Sequence, residues 1–179
     1  MFKALVLEQR EKTVSANIAE LEDSRLPEEE VEIAVEYSSL NYKDGLVLNG
    51  LGGLVKNYPH VPGIDLAGTV AQSNHPDFQP GDQVLSTGWR VGEAHWGGYA
   101  QKTRLKAAWL VKLPSGLGTR TAMGVGAAGL SAAIALESLE AQGLTPDKGE
   151  VLIAATNKAD LEVDEIRKAI QAKGLPNLA

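Results

Sequence analysis

There is no cysteine in the 179 residues, which excludes disulfides, thiolate zinc sites and cysteine nucleophiles together. The absence fits a reducing compartment. Histidine is scarce as well, and His60, His75 and His95 stand alone. No pair of them has metal-ligand spacing on a helix, so a metal site is not expected. His60 and His95 are expected to be loop and packing residues. Basic charge is in deficit, with 17 Lys and Arg against 23 Asp and Glu and a formal charge of -6. That charge is spread thinly, which argues against nucleic acid or an anionic membrane as the main partner. Long apolar runs are missing too. Met1–Leu7 is too short for a signal peptide and closes at Glu8. The longest uncharged run, Thr121–Leu136, falls short of the roughly 20 residues a membrane span needs. A cytoplasmic protein is the expectation. With 44% hydrophobic and 22% charged residues, the composition is ordinary for a globular chain.

What is present divides the chain unevenly. Its first hundred or so residues read as β-rich. Phe2–Glu8 and Val14–Leu21 suggest a hairpin. Val31, Ile33, Val35 and Tyr37 alternate with Glu32, Ala34 and Glu36, the period of a half-buried strand. Tyr42–Asn49 suits a short helix ending at Gly50, and residues 51–60 a loop. Leu66–Gln72, Gln83–Thr87, Tyr99–Leu105 and Trp109–Leu113 are further strand candidates, parted by turns such as Gln79-Pro80-Gly81-Asp82. After Pro114-Ser115-Gly116 the character changes. A helix apolar nearly all round begins at Ala122, of the kind that is buried on several sides or serves an interface. A compact strand at Val151–Ala155 and an amphipathic helix at Asp160–Lys173 close the chain. The fold class expected is α+β, mainly β.

The most loaded stretch is Asn41-Tyr42-Lys43-Asp44, with Val61–Gly68 behind it. An amide, a phenol, an amine and a carboxylate could orient a carbonyl, donate a proton and pair with an anion. Four consecutive residues cannot share one face. The plainer alternative has Asn41 capping the helix, Tyr42 in the core, and Lys43 and Asp44 in solvent. Gly124-Val125-Gly126-Ala127-Ala128-Gly129 matches the dinucleotide fingerprint. That fingerprint needs a preceding strand, which residues 116–123 do not offer, so close helix packing is the expected role. No glycine follows Val151–Ala155 until Gly174, so a pyrophosphate turn is not expected there either. Lys102, Arg104 and Lys106 alternate on one strand face, either solvated or a small basic patch for ligand phosphates. Trp89 and Trp96, near Gly97-Gly98-Tyr99, could wall a pocket or cover a barrel end.

In order along the chain, Asn41–Asp44, Pro62–Val70, Pro80–Val84, Thr87-Gly88-Trp89, Gly97–Ala100 and Ala122–Ala132 resemble the zinc-free quinone oxidoreductase branch of the medium-chain dehydrogenase/reductase superfamily. The acryloyl-CoA reductase group is the nearest in pattern, over roughly residues 1–153. The resemblance implies a GroES-like, partly open β-barrel at 1–114 as catalytic domain, and a connecting helix and turn at 115–149. A strand-helix remnant at 150–179 then stands in place of a Rossmann domain, most of which is expected to be missing. It also implies NADPH as cofactor, with hydride passing to the β-carbon of an activated alkene and a proton to the α-carbon. Asn41, Tyr42 and Asp44 are the implied catalytic residues. Asn41, Tyr42 and Lys43 would meet the cofactor, and Tyr42, Trp89, Arg90 and Tyr99 the substrate, an activated alkene, quinone or acyl-CoA. Without a phosphate-binding loop the reductase is expected to be impaired or inactive alone. A non-enzymatic acyl-CoA binder, or a structural module self-assembling through the Ala122–Leu136 helix or the terminal strand, are the alternatives.

Overall fold

The first hairpin forms where it is expected. In the computed structural model, which describes residues 1–151, β1 (Phe2–Arg10) pairs antiparallel with β2 (Thr13–Leu21). Phe2, Ala4 and Val6 alternate inward, where they meet Leu26, Val61 and Ala100. The far side of β1 is stitched to the rest of the chain by backbone bonds, Leu5 N–H to the Tyr99 carbonyl at 2.8 Å and Leu7 N–H to that of His60 at 2.7 Å.

Five further strands make one antiparallel sheet in the order β6-β3-β4-β5-β7. They are β3 (Val31–Tyr37), β4 (Asp65–Ser73), β5 (Gln83–Thr87), β6 (Lys102–Leu105) and β7 (Val111–Lys112). Val31, Ile33 and Val35 of β3 bury against Leu66, Val70, Val84 and Leu105, each contributing about 1.5–3 kcal/mol by removal from water. Two strands are shorter than the sequence suggests. Tyr99 and Ala100 precede β6, because the chain there turns to bond β1. Ala107–Trp109 is a 3-10 turn ahead of β7.

Glu32 breaks the alternation of β3. It is buried because Arg104 and Lys102, opposite on β6, reach it at 2.7 and 3.8 Å. Lys102 also pairs with Asp23 at 3.1 Å, and Lys106 lies over the Trp109 ring. This strand face is therefore neither simply solvated nor an open phosphate patch.

Two helices complete the described residues, α1 (Tyr42–Leu48) and α2 (Thr119–Ala141). The first turns of α2 pack Thr119, Ala122, Met123 and Gly126 against the barrel. Beyond Gly126, whose φ of +52° interrupts the helix, Leu130, Ile134, Leu136 and Leu139 are exposed. The complete helix is long and apolar enough to cross a membrane by length and composition, although the uncharged run within it is shorter. The strand and helix expected within 151–173 fall outside the described residues, Val151 excepted.

Candidate functional site

A buried carboxylate needs partners, since burial without them costs several kcal/mol. Asp65 opens β4 with its side chain fully buried and gathers them from three directions. Ser39 donates its hydroxyl at 2.7 Å and its backbone N–H at 3.2 Å. The Asn41 side-chain amide approaches at 3.4 Å and also donates to the Ser39 hydroxyl at 3.1 Å. The Ala127 N–H donates at 3.0 Å. That last bond caps the continuation of α2, a position where negative charge is favoured by the helix dipole. It also accounts for the glycine at the break. A Cβ on Gly126 would stand 2.8 Å from the Ser39 hydroxyl and 3.1 Å from Asp65. Of the three fingerprint glycines, Gly126 alone packs closely against the rest of the fold; Gly124 has open space beside it and Gly129 meets only Val125 of its own helix. The free N–H of the fingerprint already holds a protein carboxylate, so a ligand phosphate at this point would meet like charge.

Asp44, at the third position of α1, accepts from the Asn41 N–H at 2.9 Å and from the Ile64 N–H at 3.0 Å. The first bond is the carboxylate half of a capping box; the second ties the helix to the Pro62-Gly63 return. Burial, and then the charge of Asp65, push the Asp44 carboxyl up to about 7 against these backbone donors. Tyr99 is buried beside both acids and donates to the Ser39 carbonyl at 3.2 Å. Burial and the two carboxylates hold its phenol well above the usual range. The close glycines are legible here: a Cβ on Gly97 would fall 2.2 Å from the Gly63 carbonyl, so the two turns stack backbone on backbone.

The Asn-Tyr-Lys-Asp run therefore splits. Asn41 and Asp44 point inward, and the solvent position considered for Asp44 is wrong, because its carboxylate is 0% exposed. Tyr42 is 48% exposed, so it is not a core residue. Lys43 reaches out to Glu93 at 3.0 Å. Arg90 approaches the same carboxylate at 3.8 Å and donates to the Leu54 carbonyl at 3.4 Å. Trp89 beside it is exposed. Trp89 and Arg90 both have left-handed backbones, φ +55° and +59°, a conformation costing about 1–3 kcal/mol for a residue with a side chain. His60 braces this loop through Nε2, 2.9 Å from the Gly92 carbonyl, and burial lowers its pKa, in keeping with a packing role.

Of the residues expected at a site, Tyr42, Lys43, Trp89 and Arg90 reach solvent. Asn41, Asp44 and Tyr99 do not, and Tyr99 is corrected from a wall of the substrate pocket to a buried brace, its hydroxyl spent on Ser39. Ser39, Asp65 and Glu93, which bond or pair with the candidate residues, are neighbours that sequence reasoning did not single out. Asp65 carried a signal, an acid between Ile64 and Leu66; Glu93, between Gly92 and Ala94, carried none. Among the described residues no group of three or more His, Cys, Asp or Glu side chains could hold a metal.

Residues 27–115 match the model of the alcohol dehydrogenase GroES-like domain. The chain is 56% identical over 155 residues to acrylyl-CoA reductase AcuI of Ruegeria pomeroyi, covering 86% of this chain and 47% of that protein. Among solved structures, the yhdH oxidoreductase of Salmonella enterica in complex with NADP is 48% identical with a TM-score of 0.79, over 82% of this chain and 45% of the other. The Bacillus subtilis protein yhfP with NAD bound is 41% identical, also at 0.79, over 83% and 45%. The chain spans about half the length of the curated relatives it matches.

Proposed function

We propose that this chain, whose residues 27–115 belong to the alcohol dehydrogenase GroES-like domain family, is the catalytic-domain form of an NADPH-dependent enoyl or quinone reductase of the acrylyl-CoA type. Residues 1–114 would form the substrate-facing unit and 115–149 the connection beyond it. The observation that carries this reading is the division of residues 41–44. Asn41 and Asp44 are locked in a buried network around Asp65, while Tyr42 and Lys43 are presented outward beside Glu93, Arg90 and Trp89. Tyr42 is the group on this edge able to orient a carbonyl or deliver a proton to the α-carbon. Lys43 and Arg90 would draw in an anionic substrate. NADPH, when bound, supplies the hydride. The glycine-rich helix break offers its pyrophosphate no donor, because the Ala127 N–H there is taken by Asp65. Turnover by this chain alone is accordingly expected to be slow.

The test is NADPH consumption with acryloyl-CoA and, separately, a quinone. Slow consumption that depends on the alkene and disappears in Tyr42→Ala supports the reading. No consumption by protein shown to bind both ligands would remove the reductase and leave an acyl-CoA-binding domain.

The exposed Leu130, Ile134, Leu136 and Leu139 of α2 favour a second reading beside the first, self-association through this helix. Leu130 and Ile134 stand on one face of the helix and Leu136 and Leu139 on the opposite one, and a helix apolar on more than one side is buried or serves an interface. Light scattering is expected to give a mass above that of one chain, and Ile134→Glu to return it to the monomer. A wild-type monomer at the highest soluble concentration would contradict this.

A further inference from the structure

We propose that Lys43 and Arg90, both drawn onto the buried carboxylate of Glu93, form a clamp for the diphosphate of an adenine-nucleotide ligand. This deepens the reading above and rests on it for the placement of the ligand. Glu93 is 9% exposed at its side chain, whereas Lys43 and Arg90 are 50% and 59% exposed. Its Oε1 holds Lys43 at 3.0 Å and its Oε2 faces Arg90 Nε at 3.8 Å. One carboxylate offsets one cation, so the triad keeps a net positive charge. Among the described residues no other carboxylate lies within ion-pair distance of either cation. Their ends are therefore fixed close together and left facing solvent, as an anion with two charged oxygens requires.

Three elements converge to hold the clamp. Lys43 comes from α1, Glu93 from the loop after β5, and Arg90 is tied by its guanidinium to Leu54 in the loop after α1. Arg90 binds Glu93 at one edge and Leu54 at another, which leaves the rest of the planar fork free for phosphate oxygens. The backbone is held against its preference to achieve this. Gly88, Trp89 and Arg90 are consecutive left-handed residues, and only the first is glycine. Outliers at exposed positions cluster at ligand-holding segments. The same conformation turns the Trp89 indole outward beside the cation, a flat aromatic face on which a base can stack. Arg90 and an exposed indole on one short loop, with Lys43 of α1 held to the same carboxylate, match a diphosphate followed by adenine. Coenzyme A and NADPH both carry that unit; a quinone does not.

Calorimetric titration of the full chain tests the clamp with coenzyme A, NADPH and pantetheine, which lacks the phosphates. Coenzyme A is expected to bind saturably and pantetheine not to bind at the same concentrations. Arg90→Gln and Lys43→Gln each leave Glu93 one cation, so folding of both variants is verified by circular dichroism, and each should weaken coenzyme A roughly tenfold, with a reduced salt dependence. Equal weakening of NADPH would mean that the clamp takes the diphosphate from either ligand. Unchanged NADPH binding beside weakened coenzyme A would assign it to the thioester. If NADPH does not bind but coenzyme A binds through Arg90, the clamp stands without the reductase reading. Coenzyme A affinity equal in wild type and both variants, or pantetheine binding as tightly as coenzyme A, overturns the proposal.

Discussion

Asp65→Ala is expected to lower stability by on the order of 4 kcal/mol, because it strands buried donors that cost about 1–3 kcal/mol each when unpaired. The Ser39 N–H and hydroxyl, the Asn41 amide and the Ala127 N–H all converge on this carboxylate. Water cannot replace it, since Ser39 and Asn41 are themselves buried. For a domain of this size the loss corresponds to a fall of roughly 10–15 °C in melting temperature, read by circular dichroism. Asp65→Asn should fall between the two, because its oxygen serves one side while its amide faces other donors. The consequences are not confined to stability. Asn41 loses an acceptor and the continuation of α2 loses its cap, so amide exchange should rise at Ala127 and the residues after it. A melting temperature for Asp65→Ala within a degree or two of wild type would show that the network does not organise the site.

The second large effect is on pH. The Asp44 carboxyl titrates near 3.8 when unfolded and at about 7 when folded, raised by burial and by the charge of Asp65. Between those values the folded chain keeps a proton that the unfolded chain has released, so stability falls as pH rises. The contribution is fully present below about pH 4 and is lost as pH passes through about 7, amounting to about 4 kcal/mol at 1.36 kcal/mol per pH unit. Asp23, Asp82 and Asp147 are lowered by hydrogen bonds, the first two mainly from lysines, and act in the opposite sense at more acid pH. The expected result is therefore a difference between wild type and Asp44→Asn, measured as urea midpoints from pH 4 to 8. Wild type should lose stability across that range relative to the variant. Parallel curves would mean that Asp44 is ionised throughout.

Much of this architecture was legible from patterns with a short physical reach. The β1–β2 hairpin, the alternation of β3 and the helix ending before Gly50 all follow from neighbours in sequence. What escaped depends on residues far apart. Asn41 to Asp44 shows four reactive groups in a row, but which of them turns inward is decided by Asp65 and Ile64, some twenty residues on. Glu32 reads as a solvent residue until Arg104 is placed opposite it. Tyr99 stands in a stretch that looks like a strand with a free aromatic, yet its backbone bonds β1 and its hydroxyl bonds Ser39. Glu93 has no local mark at all. Its two cations come from different parts of the chain, Lys43 from α1 and Arg90 from its own loop.

In the reductase reading proposed above, the outward edge at Tyr42 receives the nicotinamide end of the cofactor, with the buried acids holding that edge in place. NADPH titration of the purified chain, followed by nicotinamide fluorescence and repeated with Tyr42→Ala, tests it most directly. Tyr42 is half-exposed, so the variant should melt as wild type does. Saturable binding is expected for wild type, and loss of most of it in Tyr42→Ala. Identical curves for the two proteins, or no binding up to millimolar cofactor, would contradict it.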